Sequence, residues 1–249
     1  MIYVCISSRN NGPTIGLLLW KIRNVFNEFP RQYQLLVLDD ASTDDTAAIL
    51  KPYVKSLPLT IITRRRRVGR AESFEILMRE ALQRSDRHKR DCVITIPADF
   101  SVSPAALPEL VKKFESGADV IIGEMESGHD TFTDRLLRRC APWLLSPGIK
   151  IPGVKDLTSG CAAFRMVTIK NFIGEDDERV LRNEGASTFP EFLARASSGA
   201  RQIATEPLTR GPGTLATNEY GFIISALNLL GGGQRVKIPS PDRPANARS

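Results

Sequence analysis

Histidine and cysteine are scarce in this chain, and their scarcity narrows the chemistry open to it. There are two histidines, His88 and His129, and four widely spaced cysteines, Cys5, Cys92, Cys140 and Cys161, with no CxxC pair. A zinc cage is not expected from such spacing, and the cysteines read as reduced and structural. Aromatic residues amount to 7%, and none interleaves with the basic run Arg64–Arg70, so a stacking platform for nucleic acid is disfavoured. No run approaches the roughly 18 apolar residues of a membrane span, and the amino terminus lacks a signal-peptide pattern. The longest apolar candidate, Tyr220–Leu230, is too short. A cytoplasmic protein is expected, soluble or peripheral to the cytoplasmic membrane face.

What is present is an ordinary globular balance, 42% apolar and 25% charged over 249 residues, enough for one substantial core. The net charge of +6, from 34 basic against 28 acidic residues, suits a phosphorylated substrate, an anionic membrane or a nucleic acid, and does not choose among them.

The most informative stretch is Tyr33–Thr46, YQLLVLDDASTDDT. Leu35–Leu38 reads as a strand buried on both faces, and it stops at two aspartates, Asp39 and Asp40. Ser42 or Thr43 is suited to cap a helix in which Asp44 and Asp45 occupy the first turn. In open α/β sheets ligands bind beyond the carboxyl ends of the strands, which makes Asp39 and Asp40 site candidates. The alternative is that both are turn residues.

Around this unit strands and helices alternate: strand Ile2–Ile6, helix Ile15 to about Phe29, helix Asp45 to about Lys55, strand Leu59–Thr63, helix Ala71 to about Arg84, strand Cys92–Ile96, helix Ala105 to about Ser116 and strand Asp119–Gly123. The alternation predicts an α/β fold, a largely parallel sheet with helices on both faces. Right-handed crossovers then bring Asp39, Asp40 and Asp99 to one rim. Beyond Gly123 the pattern loosens. Thr131–Leu145 is a basic amphipathic helix, suited either to an anionic bilayer or to packing on the sheet. Glu191–Ala196 and Tyr220–Leu230 read as helices, and Ile203–Leu208 as extended. One domain is expected over residues 1–237, in halves 1–123 and 124–237, followed by a disordered tail, residues 238–249.

These residues resemble the family 2 glycosyltransferases of GT-A fold, and in particular the polyprenyl-phosphate (dolichol-phosphate) mannosyltransferase branch. The resemblance is carried by VLDDASTDDT, by Gly117-Ala118-Asp119-Val120 with Gly123, by Asp156-Leu157-Thr158-Ser159-Gly160 with Phe164-Arg165, and by Glu206-Pro207 with Arg210 and Gly213. It implies a nucleoside diphosphate sugar donor and inverting transfer of the sugar to a lipid phosphate. It further implies donor contacts from Ser7, Ser8, Arg9, Asn11, Val37, Asp39, Asp40, Gly69, Ala98 and Asp99, and a Mg2+ or Mn2+ ion on Asp99. Asp99 and Asp156 would be catalytic, and Arg67, Arg70, Ser159 and Arg210 would hold the acceptor or phosphate. For Asp156 the residue pattern alone favours a turn cap.

The chain also departs from the family pattern. Pro97-Ala98-Asp99 stands where the family has a DxD element, so one metal carboxylate is replaced by proline. Ser8-Arg9-Asn10-Asn11 stands where an aromatic residue and Asn-Glu are usual, Glu124-Met125 follows Gly123 in place of Arg, and Thr214-Leu215-Ala216 follows Gly213 in place of a Ser-Lys pair. Arg64–Arg67, Arg70 and Arg210 are candidate replacements for the missing cations, since a guanidinium fork binds phosphate bidentately. A solvated loop is the other reading of that run. A catalytically decayed relative that keeps the nucleotide pocket is the alternative to an enzyme.

Overall fold

The computed structural model describes residues 1–126, 132–145, 148–174, 179–211 and 222–238. The expected tail from residue 239 onward lies outside them, as do Gly213–Ala216, Tyr220 and His129.

The strands are β1 (Ile2–Ser8), β2 (Tyr33–Asp39), β3 (Leu59–Thr63), β4 (Cys92–Thr95), β5 (Val120–Met125), β6 (Ala162–Arg165) and β7 (Ile203–Leu208). They form one sheet in the order β3-β2-β1-β4-β6-β5-β7. Every neighbouring pair is parallel except those made by β6, which runs antiparallel between β4 and β5. The pairing of Ser8 with Asp39 and of Asp39 with Thr63 aligns the carboxyl ends of β1, β2 and β3 on one rim.

Helices α1 (Gly12–Glu28), α2 (Thr46–Tyr53) and α4 (Leu107–Glu115) cover one face. Helices α3 (Arg70–Arg84), α5 (Phe132–Leu145), α6 (Met166–Lys170), α7 (Thr188–Ser198) and α8 (Phe222–Arg235) cover the other. Strand residues alternate between the two cores: Val4, Ile6, Leu35 and Val37 join the first, and Tyr3, Cys5, Leu36 and Leu38 the second. In the second core Phe192 packs against Phe74, Phe164 and Phe172 with ring centroids 5.0–5.6 Å apart.

The helix boundaries differ from the expected ones for local reasons. Helix α1 begins at Gly12, three residues early, because Pro13 is preorganised for a first turn. Helix α2 begins at Thr46, and neither Ser42 nor Thr43 caps it. Their polar groups are taken by Asn10, whose backbone N–H donates to Ser42 Oγ (3.0 Å) and whose Oδ1 accepts from the Thr43 N–H (2.8 Å). Asp44 does the capping, with Oδ1 accepting from the Thr46 N–H and hydroxyl and Oδ2 from the Gly12 N–H. Burial pushes the Asp44 carboxyl up, but these hydrogen bonds more than offset it and hold it below its ordinary value.

Two residues of the resembling motifs serve the fold. Asp119, just before β5, is buried and accepts from Arg165 Nε (2.8 Å) and the Arg201 N–H (2.9 Å). Glu206 in β7 pairs with Lys113 of α4 at 2.6 Å. Gly123 is required by space, since a Cβ there would lie 2.7 Å from the Cys161 carbonyl oxygen and 2.4 Å from Leu208. The cysteines are free, and burial pushes the Cys92 and Cys161 thiols up to about 12 and the Cys5 thiol higher still. None of those three is a thiolate nucleophile at neutral pH.

Candidate active site

On the carboxyl rim a cavity of about 400 Å3 opens between the loops after β1, β2, β3 and β4. Its wall includes Ser7 near the end of β1, Arg9, Asn10 and Asn11 after it, Asp40 after β2, Arg67 and Arg70 after β3, and Ile96-Pro97-Ala98-Asp99 after β4. Gly160, Ala186 of the segment before α7, Ser225 of α8 and the α3 residues Ser73, Phe74, Leu77 and Met78 also line it.

The loops are fixed by mutual hydrogen bonds. The Ser8 hydroxyl lies 3.3 Å from Asn11 Oδ1, which also accepts from the Arg9 N–H, and the Asn11 N–H donates to Thr46 Oγ1 (2.9 Å). Thr14 Oγ1 donates to the Ala98 carbonyl (2.8 Å), tying α1 to the end of β4. Three non-glycine residues among the described ones have left-handed backbone, Asn10 (φ 53°), Ala41 (φ 54°) and Phe100 (φ 58°), and each follows a strand at this rim. Backbone held in that region tends to mark functional sites.

The two neighbouring aspartates separate in role. Asp40 lines the cavity, and its two oxygens accept from the Val68 (2.7 Å) and Gly69 (3.1 Å) N–H groups, which anchors the arginine-bearing loop. Asp39 is buried beside the cavity rather than on its wall, and its Oδ1 accepts from the Ser42 N–H. Val37, Ser8 and Gly69 likewise sit behind the lining residues. Gly69 takes φ +94° and precedes α3, where Glu184 Oε2 accepts from the Arg70 (3.0 Å) and Ala71 (3.2 Å) N–H groups.

Asp156, a candidate catalytic residue by resemblance, stands off the cavity wall. One of its oxygens accepts from the Thr158 N–H (2.7 Å) and hydroxyl (2.8 Å), and the other from the Met125 N–H (3.3 Å). It is a buried turn cap that fastens the DLTSG turn to β5. Ser159 is buried too and donates to the Gly123 carbonyl (2.6 Å). Arg210 forms a bridge with Val102 away from the lining. Of Arg64–Arg67 and Arg70, only Arg67 and Arg70 line the cavity, and Arg64 lies 3.8 Å from Glu72. Ser225 and Ala186 were not foreseeable from the sequence, because nothing in an apolar helix or a glycine-rich turn marks a residue that distant segments will enclose.

The wall therefore presents three guanidinium groups, of Arg9, Arg67 and Arg70, against two carboxylates, of Asp40 and Asp99. That balance favours an anionic ligand. Asp99 Oδ1 accepts from the Ser101 N–H (2.9 Å), while Oδ2 has no hydrogen-bond partner among the described residues. No group of three or more His, Cys, Asp or Glu side chains able to hold a metal occurs among them. One carboxylate fits a hard divalent ion only in the mode in which substrate phosphates and water supply the other ligands.

A mostly parallel sheet with an anion-attracting crevice at its carboxyl rim is the layout of α/β proteins that bind phosphorylated ligands. Residues 3–172 match the family model described as Glycosyl transferase family 2, and the chain belongs to that family. It is 25% identical over 157 residues to the dodecaprenyl-phosphate galacturonate synthase of Rhizobium johnstonii, covering 61% of this chain and 44% of that protein. It is 26% identical over 238 residues to the undecaprenyl-phosphate 4-deoxy-4-formamido-L-arabinose transferase of Edwardsiella ictaluri, covering 92% and 65%. The chain thus spans between about half and two thirds of the length of these curated relatives. The fold is GT-A: the glucosyl-3-phosphoglycerate synthase of Mycobacterium tuberculosis, solved with Mn2+, UDP and glucosyl-3-phosphoglycerate, superposes with a TM-score of 0.62 at 19% identity, covering 96% of this chain and 81% of that one.

Proposed function

We propose that this chain transfers a sugar, with inversion, from a nucleoside diphosphate sugar to a polyprenyl phosphate or related phosphate acceptor. The observation that carries the proposal is the joining of Arg9, Arg67, Arg70 and Asp99 around one rim cavity in a family 2 fold. The barrier in such a transfer is the charge that develops on the departing diphosphate, and guanidinium groups fixed at that point lower it. Arg67 sits on the loop that Asp40 anchors and Arg70 opens α3 directly after it, so their placement is part of the fold. A divalent ion brought in with the donor would be held by Asp99 and the diphosphate, and would add further positive charge at the leaving group.

The acceptor class explains a feature of the cavity. A hydroxyl acceptor needs a general base, whereas a phosphate monoester, with its second pKa near 6, is already an anionic nucleophile at neutral pH. With Asp40 committed to backbone donors, Asp156 to a turn and Asp99 assigned to the donor's diphosphate, phosphate is the acceptor these residues suit. The names of the relatives, both transferases or synthases of polyprenyl-phosphate sugars, support the same class. One observation favours a second reading, a non-catalytic relative that keeps the pocket: Pro97 stands where a metal carboxylate is expected.

The first test is binding. In a thermal-shift panel of nucleoside diphosphates and their sugars, a cognate ligand at about 100 times its Kd adds nearly 3 kcal/mol of stability. Arg67→Ala should shrink that shift while changing the ligand-free melting temperature little, since contacts of an exposed side chain contribute little to stability. A panel in which no diphosphate shifts the protein, with or without Mn2+, would overturn the proposal.

A further inference from the structure

We propose that the outward faces of α5 and α8 form a surface that docks on an anionic lipid bilayer and sets the cavity beside the headgroups. Eight large hydrophobic residues are exposed among the described ones, and four of them, including the two most exposed, lie on these two helices: Trp143 (73%), Leu227 (62%), Leu136 and Leu230. Such concentration marks an interaction site rather than scattered surface residues.

Each helix has a core face and an outer face. In α5, Ala141 and Leu145 enter the core, while Leu136, Arg139 and Trp143 recur at i, i+3 and i+7 on the exposed side. In α8, Leu229 enters the core, and Leu227, Leu230 and Gln234 form the corresponding stripe. The helices are fastened together where a Cβ on Gly233 would lie 2.7 Å from the Leu145 carbonyl oxygen, and where the Gly148 backbone meets Val236. The two stripes are therefore parts of one rigid body.

Charge selects the occupant. Arg139 lies within the α5 stripe, and Lys150, Arg235 and Lys237 are exposed at the joined ends of the helices. By sequence α5 carries one carboxylate, Asp134, against Arg135, Arg138 and Arg139, and α8 carries none. Apolar side chains that include tryptophan, bordered by cations, match the boundary of an anionic bilayer, where the ring settles at the interface and the cations meet phosphate headgroups. Position adds a second argument: Ser225 lines the cavity two residues before Leu227, so α8 leads from the site to the docking face. Delivery of a lipid phosphate to the cavity rests on the proposed function, whereas docking itself does not.

The test is flotation of the full chain with vesicles of phosphatidylcholine alone or with added phosphatidylglycerol. The anionic vesicles should carry the protein at low salt and release it at high salt, and the variant Trp143→Ser/Leu227→Ser should bind at least about tenfold more weakly. In a Trp20→Phe background, Trp143 emission should shift to shorter wavelength on the anionic vesicles. A wild type that stays with the soluble fraction, a double variant that floats equally well, or unmoved emission would each overturn the proposal. Dimerisation through this face, seen as a monomer in the double variant and a dimer in the parent without vesicle binding, would also overturn it. The nucleotide thermal shift, measured in parallel, separates the two proposals, because vesicle binding without a nucleotide shift leaves docking standing and removes the transferase reading.

Discussion

Asp99→Asn should lower sugar transfer about a hundredfold while leaving nucleotide affinity nearly unchanged, since loss of a charged group that acts in the transition state typically costs ~3 kcal/mol. The substitution is nearly isosteric, and a side-chain oxygen remains to accept from the Ser101 N–H, so the left-handed turn at Phe100 should persist. What disappears is the negative charge of a cavity carboxylate whose Oδ2 has no hydrogen-bond partner among the described residues. Steady-state kinetics with calorimetry on the same variant separate the two effects. Equal losses in kcat and in nucleotide affinity would make Asp99 a binding residue only. Unchanged turnover would remove it from the chemistry.

Asp119→Ala should destabilise the fold by about 3–5 kcal/mol, the usual consequence of leaving a buried charge without its partner. The stranded group would be Arg165, whose other donors reach the Lys89, Phe114 and Ala118 carbonyls and whose side chain is 13% exposed. In the folded state burial pushes the Asp119 carboxyl up, but hydrogen bonds from Arg165 and Arg201 outweigh it and hold it below its ordinary 3.8. A carboxyl lowered by folding stabilises the protein fully above its unfolded pKa and ceases to do so as pH falls through the folded value. The parent should therefore lose stability on acidification below about 3.8 in a step that Asp119→Ala lacks. Denaturant melts across that window would show it. A variant as stable as the parent at pH 7 would mean that the network contributes nothing net.

The sheet was legible in the sequence because its strands are short apolar runs that end on polar residues. Leu35–Leu38 needs no tertiary information to be recognised as buried on both faces, and β1 to β5 follow the same rule. Strand β6 was harder: AAFR is four residues long, follows a turn-rich loop, and forms only because β4 and β5 leave a gap between them. Caps failed for a related reason. Ser42 and Thr43 have the chemistry to cap α2, but Asn10, 32 and 33 residues away in sequence, takes their polar groups.

The site was legible as a rim and much less so as individual residues. Adjacent positions at a strand end project to different sides, so Asp39 and Asp40 are indistinguishable in sequence until the Val68 and Gly69 N–H groups show which faces the cavity loop. The five arginines of the 64–70 stretch carry the same charge, and the turn into α3 decides that two of them line the wall. Asp119, Asp156 and Glu206 carried the family resemblance, yet each makes hydrogen bonds or ion pairs that fasten elements of the fold, Asp119 at the edge of the sheet opposite the cavity. Motif residues of this kind report the fold at least as much as the chemistry.

The most direct test of the central claim is a transfer assay with the full chain, a panel of radiolabelled nucleotide sugars, and a polyprenyl phosphate in detergent, with Mn2+ or Mg2+ present. The account predicts that label from one donor moves into the organic phase in a product that mild acid splits to free sugar, and that the product disappears when the lipid carries a hydroxyl in place of the phosphate. Label that remains wholly aqueous with every donor, from a protein that nonetheless binds nucleotide, would contradict it.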